Sequence, residues 1–556
     1  MSLNLKIMIR KVFFLLIIYS FSIILIYSQD IKKDITIVKP YQPTIQDFYK
    51  INLMPSFSDT SYMSPQFNYL IKSVKIDVPY QPKNIPIAKI APESTTSLLN
   101  NYLKLGIGNP NSPYAEVSFT NGRDKKYAYG LYLKHHSASG SVKLDDNATK
   151  IDAPYSNNEI IAFGKYITKT NIVNSSLSYS SNKYRFYGID PSYLNIYNKD
   201  SSIQHIQEGK IKMNLESSNN DSNKLYYNSN LKYAYFVDYK NNIQNNFYLA
   251  GTASINYKEF YVGVDISNDY YSYNGKNNDT SFNNIFTLRP FLSKSKNSWR
   301  LKTGLNISLD KDYEGTSLVP FPFVSFDFII VPQVLKAEVS YDGFVEPNNY
   351  YSLIKKNPYV KPDIFTPSST CNSMIKAGIS GSISSEIQFS ILATYSNIKD
   401  QIFFINDTNT TLKNTFITTT DDVEYMKYSC YFSYDIMKKT NLSLSFLYNN
   451  YSMTHERKPW GVPIYEVKAR LVSNLHDKII LKTDLFFIGH RYAYLSKDKF
   501  LTLNPIFDLN ERIEYAYTKY FLLYTELKNI TSSRYQYWNQ YSSYRFQITF
   551  GFVYLF

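Results

Sequence analysis

From residue 102 to the end of the chain, apolar side chains recur at every second position instead of every 3.6. Few constraints on a fold are stronger, because period two means strands with one apolar and one polar face. In Trp299–Asp310, Trp299, Leu301, Thr303, Leu305, Ile307 and Leu309 form one face, and Arg300, Lys302, Gly304, Asn306, Ser308 and Asp310 form the other. Leu231, Tyr233, Tyr235 and Val237 alternate in the same way, as do Leu442, Leu444, Phe446 and Tyr448. No amphipathic helical stretch interrupts the series, which excludes βαβ units and a parallel sheet. Marking each alternating run gives about 22 strands.

The connections fall into two classes. Short ones include Thr168-Lys169-Thr170, Lys258-Glu259, Val331-Pro332-Gln333-Val334, Ser384-Ser385-Glu386, Lys438-Lys439-Thr440, His476-Asp477-Lys478 and Thr518-Lys519. Longer polar ones lie between them: Ser137–Asn157, Gly188–Ser202, Glu346–Pro367 and Ile405–Asp422. Tight turns at one end and long loops at the other are what a membrane barrel requires. In hydrocarbon an unpaired backbone amide costs several kcal/mol, so a sheet spans lipid only by closing on itself. One face then meets lipid and the other a lumen. The 54 tyrosines suit the two interfaces of such a barrel, where a ring is dry at one end and wet at the other. Mean hydropathy of −0.32 with a single long apolar run excludes a bundle of membrane helices. The fold class expected is all-β: a transmembrane antiparallel β-barrel over residues 101–556, embedded in outer-membrane lipid.

The chain end carries the pattern furthest. Tyr544, Phe546, Ile548, Phe550, Phe552, Tyr554 and Phe556 alternate with Arg545, Gln547, Thr549 and Gly551. An edge this apolar would aggregate in a soluble protein, so pairing inside a closed barrel is the better account. Ending on Phe556 after such alternation also resembles the C-terminal assembly signal of bacterial outer-membrane proteins. That resemblance implies the barrel assembly machinery as a partner, with Tyr544, Phe546, Phe550, Phe552, Tyr554 and Phe556 as the signal.

The first hundred residues differ. Lys6, Arg10 and Lys11 precede the uncharged apolar run Val12–Tyr27, and Ser28-Gln29 supplies a small residue before a cut near Asp30. Residues 1–29 therefore read as a cleaved signal peptide, too short in the apolar part to remain as a spanning helix. Residues 30–100 are rich in proline, at 40, 43, 55, 65, 79, 82, 86 and 92. Such a segment favours extended or polyproline conformation over a compact fold. Pro40-Tyr41-Gln42-Pro43 recurs as Pro79-Tyr80-Gln81-Pro82, a strip suited to plugging a lumen or binding a periplasmic partner.

Two stretches of the barrel resemble TonB-dependent receptors, the active transporters of the bacterial outer membrane. Asn357-Pro358-Tyr359-Val360-Lys361-Pro362-Asp363 is similar to an Asn-Pro-x-Leu-Lys-Pro-Glu segment of their barrels. Ala393-Thr394-Tyr395-Ser396-Asn397-Ile398-Lys399-Asp400-Gln401-Ile402 resembles the strand with Ile-Lys-Asp that follows it. The resemblance implies a barrel of 22 strands whose lumen needs a plug. Asp34-Ile35-Thr36-Ile37-Val38 is similar to the short box through which those receptors contact a TonB-type energiser. The departure lies at residues 30–100, shorter than the globular plug of the family, and part of this segment is expected in the lumen or its periplasmic mouth.

Chemistry-bearing motifs are sparse. The histidines, 135, 136, 205, 455, 476 and 490, are scattered, and adjacent His135 and His136 point to opposite faces of a strand. No zinc-protease, phosphate-loop or nucleophile-elbow motif appears, so no enzyme, cofactor or metal is expected. Cys371 and Cys430 cannot make a disulfide scaffold. The formal charge of +14 is accounted for by lumen, turns and loops rather than nucleic acid. The expected function is receptor-like passage of an unidentified solute across the outer membrane, linked to TonB. The alternative is a structural or assembly protein whose N-terminal strip binds other periplasmic envelope proteins.

Overall fold

The computed structural model describes residues 101–556 apart from 123, 125, 145, 147, 200–201, 219–224, 277–278, 313–314, 363–365 and 437–438. The expected signal peptide, Asp34–Val38 and both Pro-Tyr-Gln-Pro repeats lie outside the described residues.

Twenty-two strands form one antiparallel sheet in which every strand pairs with its neighbours in the chain. The sheet closes where the first strand, Tyr102–Gly108, pairs with the last, Gln547–Leu555, from Tyr102 opposite Leu555 to Gly108 opposite Thr549. Closure leaves no free edge, which satisfies the backbone in hydrocarbon. Among the described residues no helix is long and apolar enough to cross a membrane.

Register sets the two faces. Leu177 lies opposite Ala162 and Ile211, and all three belong to the lipid face. Leu177, Leu249, Leu305, Ile379, Ile391 and Phe550 are exposed on this outer surface. One residue along each strand the lumen face begins, and there Gln204, Phe236, Gln244, Asn283 and Phe323 are fully buried.

At the inner end the turns are tight, as at Lys258-Glu259 between strands Ile243–Tyr257 and Phe260–Asn274. At His476-Asp477 both residues take positive φ, 53° and 56°, the paired left-handed turn whose twist matches a hairpin. The longest connections emerge at the opposite end and carry their own structure, although 218–225 at the inner end is longer than its class. They hold the hairpins Ser141–Lys143 with Lys150–Asp152, Arg491–Ser496 with Lys499–Leu503, and Gln536–Trp538 with Tyr541–Ser542. A 3-10 helix, Pro191–Ile196, and a helix, Tyr350–Lys356, complete them.

The expected spacing needs two corrections. Connections 109–113, 238–242, 275–279 and 312–315 are short although they lie at the outer end, so the alternation of turn lengths is incomplete. The expected loop Ile405–Asp422 is mostly strand, because Ile387–Asn406 and Phe416–Ile436 run on together past their neighbours and leave only 407–415 as loop. The final strand also begins later than the alternation suggests. Phe546 precedes it, and Tyr544 turns inward, its hydroxyl donating to the carbonyl of Gly140 at 3.3 Å and also to that of Ala153. Two polar acceptors in the outer loops outweigh the lipid face for a residue with a hydroxyl.

Candidate functional site

The connection 347–368 folds back across the lumen. Asn349 caps its helix, accepting from the Ser352 amide at 2.8 Å while the Ser352 hydroxyl receives the Asn349 amide at 3.2 Å. This capping box starts a helix of less than two turns, and the wall holds it in place. The apolar side of the helix, Tyr350, Leu353 and Ile354, is buried against Ile206, Phe236 and Tyr273 of the wall. Burying side chains of this size stabilises by about 1.5–3 kcal/mol each.

Polar tethers fix its orientation. The Tyr271 hydroxyl donates to the Asn348 carbonyl at 3.1 Å, and the Tyr350 hydroxyl to Asp238 at 2.9 Å. Gln244 accepts from the Tyr351 amide at 3.0 Å, and Ser368 accepts from Asn283 at 2.9 Å. Glu208, buried on the wall, receives the Tyr351 hydroxyl and lies 2.5 Å from the Lys355 ammonium. Charge-assisted hydrogen bonds of this kind replace the water that a buried carboxylate loses.

Beyond the helix the chain meets two other outer connections. The Phe416 amide donates to the Tyr359 carbonyl at 2.9 Å and the Phe416 carbonyl accepts from the Lys361 amide at 2.8 Å, a short parallel bridge around Val360. The Tyr359 ring stacks on Tyr541 with centroids 3.5 Å apart, and Tyr187 packs edge-on against Tyr541 at 5.0 Å. Trp538 packs against both Phe404 and Phe416 at 5.4 Å. An aromatic roof thus joins loops 186–202, 347–368, 407–415 and 529–546. Burial pushes the phenols of Tyr187, Tyr350 and Tyr541 well above the ordinary tyrosine value. The Tyr544 phenol is pushed up to about 12, again chiefly by burial.

Against this roof lies a cavity of about 620 Å³ at the outer end of the lumen. Tyr155, Tyr184, Tyr187, Tyr359, Tyr535 and Tyr544 line it, with Asp484, Asp508, Glu526, Arg185 and Lys528. Its acids are largely answered: Arg470 donates to Asp484 at 2.5 Å, and the Tyr535 hydroxyl donates to Asp508 at 2.7 Å. One Asp508 oxygen is buried without a partner among the described residues. Phenol rings and unspent acceptors give a surface able to stack against a solute and hydrogen-bond it.

Of the stretches that resemble receptor sequences, Asn357–Pro362 forms part of the roof, while Asp363 lies outside the described residues. Ala393–Ile402 lies within the strand Ile387–Asn406, where a bulge puts Asp400 at a φ of 57°. Phe550, Phe552 and Tyr554 lie on the lipid face of the last strand. His135 and His136 take opposite faces, His135 near Asn158 and His136 near Tyr155 in the lumen. Both cysteines are free. Sequence reasoning missed Glu208, Asp238, Tyr187, Trp538 and Tyr541 as loop anchors. The helical spacing of Tyr350, Leu353 and Ile354 behind an Asn-x-x-Ser cap is the signal that could have found the helix, but it is too short to show that the connection folds inward.

No protein-family profile and no curated protein matches the sequence. Solved structures do match by shape. The FrpB iron transporter from Neisseria meningitidis aligns with TM-score 0.65 at 9% identity, over 83% of this chain and 83% of that one. The ferric-catecholate import receptor Fiu from K12 E. coli aligns at 0.61 and 7% identity, over 83% and 82%. The copper transporter OprC aligns at 0.60 and 11% identity, over 82% and 80%. These neighbours are TonB-dependent receptors, transporters and receptors rather than enzymes. At such identity the likeness is one of fold: the chain is a closed barrel of 22 antiparallel strands, similar in fold to those receptors.

Proposed function

We propose that the chain is an outer-membrane receptor that admits a solute through a mouth closed by its own loops. The observation that carries this reading is the tyrosine-lined cavity lying against a roof of interlocked connections. A cavity with convergent polar groups suits a ligand, and a roof of loops can move where barrel strands cannot. Coupling to a TonB-type energiser through Asp34–Val38 belongs to the same reading and draws support from the resemblance of that box. So do the cleaved signal peptide, residues 30–100 as a lumen-filling or periplasmic segment, assembly through the aromatic chain end, and a role without catalysis.

The stacked pair Tyr359–Tyr541 offers the test. Tyr359→Cys with Tyr541→Cys, oxidised in the purified full chain, should lock the roof, and ion conductance in a planar bilayer should stay low. Reductant should restore opening events, while each single variant should show them throughout. Conductance indifferent to the crosslink would remove the roof from the transport path. Absence of flux in every form, with stable co-purifying periplasmic proteins, would favour the alternative, a barrel that anchors envelope partners through Pro40–Pro43 and Pro79–Pro82.

A further inference from the structure

The inner half of the lumen wall carries a feature that neither the roof nor the outer cavity uses. Lys212 on the strand Ile203–Ser217 lies directly opposite Lys232 on Tyr226–Val237, both on the lumen face. Like charges placed directly across a strand pair repel, so a wall shaped for stability alone would avoid the arrangement. Lys165, near the inner end of Tyr155–Ile167, borders the same hollow of about 740 Å³.

Several other lumen bases have carboxylates, while Lys376 and Lys427, both opposite Thr394 on the far side of the barrel, have none among the described residues. Arg289 meets Asp342 at 2.8 Å, Lys302 meets Asp265 at 3.3 Å and Lys482 meets Glu514 at 2.9 Å. Lys210, one lumen position from Lys212, is taken by Glu208. Lys165, Lys212 and Lys232 have no ion-pair partner among the described residues. Along the register the next acid, Asp269, stands beyond Tyr248 from Lys232. The floor around them is neutral and stiff: Asn214 donates to Asn228 at 2.8 Å and to Asn230 at 2.9 Å, and accepts from Asn174 at 3.3 Å.

We propose that Lys165, Lys212 and Lys232 form a binding site for an oxyanion, a phosphate or carboxylate group carried by the solute, on the inner half of the lumen wall. The assignment deepens the uptake reading and rests on it for the identity of the ligand's carrier. Three ammonium groups around one hollow share an anion's charge, and the anion in turn relieves the Lys212–Lys232 repulsion.

The test is calorimetric titration of the purified full chain in detergent, at low salt, with inorganic pyrophosphate and with citrate. At least one should bind saturably. Lys212→Gln with Lys232→Gln should weaken that binding about a hundredfold, roughly tenfold for each charged hydrogen bond lost. Lys427→Gln, on the lumen wall far around the barrel, should leave it unchanged. Heat-modified gel mobility supplies a second readout: the bound anion should raise the unfolding temperature of the wild type and not that of the double variant, which itself should unfold no lower. No saturable binding of either probe, or equal binding by the double variant, overturns the site. Loss of this site with flux intact would leave the uptake reading standing. Binding without flux in any form would overturn the uptake reading instead.

Discussion

Single side chains decide how the mouth is held. Tyr350 is buried in the roof with its hydroxyl on Asp238, Tyr541 is buried beside it, and Tyr187 is half-buried against the Tyr541 ring. Because burial raises their phenol pKa values above 10.0, the folded roof binds protons more tightly than the open chain. Stability from these groups is therefore complete below pH 10 and falls as pH rises beyond it. Limited proteolysis of loop 347–368 should accelerate above pH 10, and Tyr541→Phe should flatten part of that dependence; an unchanged cleavage rate up to pH 11.5 would contradict it. Arg491 shows the converse. It is fully buried in its hairpin, donating to the Tyr537 and Asn504 carbonyls at 2.8 and 3.2 Å, and desolvation pulls its guanidinium down to about 10. A base lowered in this way costs stability at neutral pH and returns it as pH rises through that value, so Arg491 cannot cause an alkaline opening.

At the scale of elements, the helix Tyr350–Lys356 exists because the wall holds it. Seven residues cannot sustain a helix in water, and its capping box adds about one kcal/mol at most times. Leu353→Asp puts a charge where Leu353 is fully buried, so the connection should leave the lumen while the barrel stays closed. The check is tryptic cleavage at Lys355 or Lys356 in a protein that still runs as a folded barrel on an unheated gel. If cleavage stays as slow as in the wild type, the helix is held by more than its apolar side. The strands themselves were legible in sequence, because lipid and lumen impose opposite demands on neighbouring residues and so write period two into every span. The inward fold was not legible, since a polar stretch such as 347–368 reads as an exposed loop unless its partners are known. Those partners, Glu208 and Asp238, lie more than a hundred residues away in the chain. Tyr544 misled for a related reason: its alternation persists through an irregular segment where the backbone has already turned inward.

For the whole molecule, the closed barrel means that stability is set by which solvent each face meets. Leu177 and Ser180 lie three residues apart on the strand Asn171–Arg185, Leu177 on the lipid face and Ser180 on the lumen face between Glu159 and Glu208. In a soluble protein an exposed leucine could be exchanged for arginine at little cost. In a barrel that spans lipid, Leu177→Arg near the middle of the span should cost about 2–4 kcal/mol, because the guanidinium must be carried into hydrocarbon. Ser180→Arg places the same group beside two carboxylates in the lumen and should change stability by less than about 1 kcal/mol. Reversible unfolding in lipid vesicles, followed by tryptophan fluorescence against denaturant, measures both. Equal costs would mean that the apolar face does not meet lipid, and the division into lipid and lumen faces would fail with it. A large cost for Leu177→Arg alone ties the period-two pattern of the sequence to the solvent that selects it.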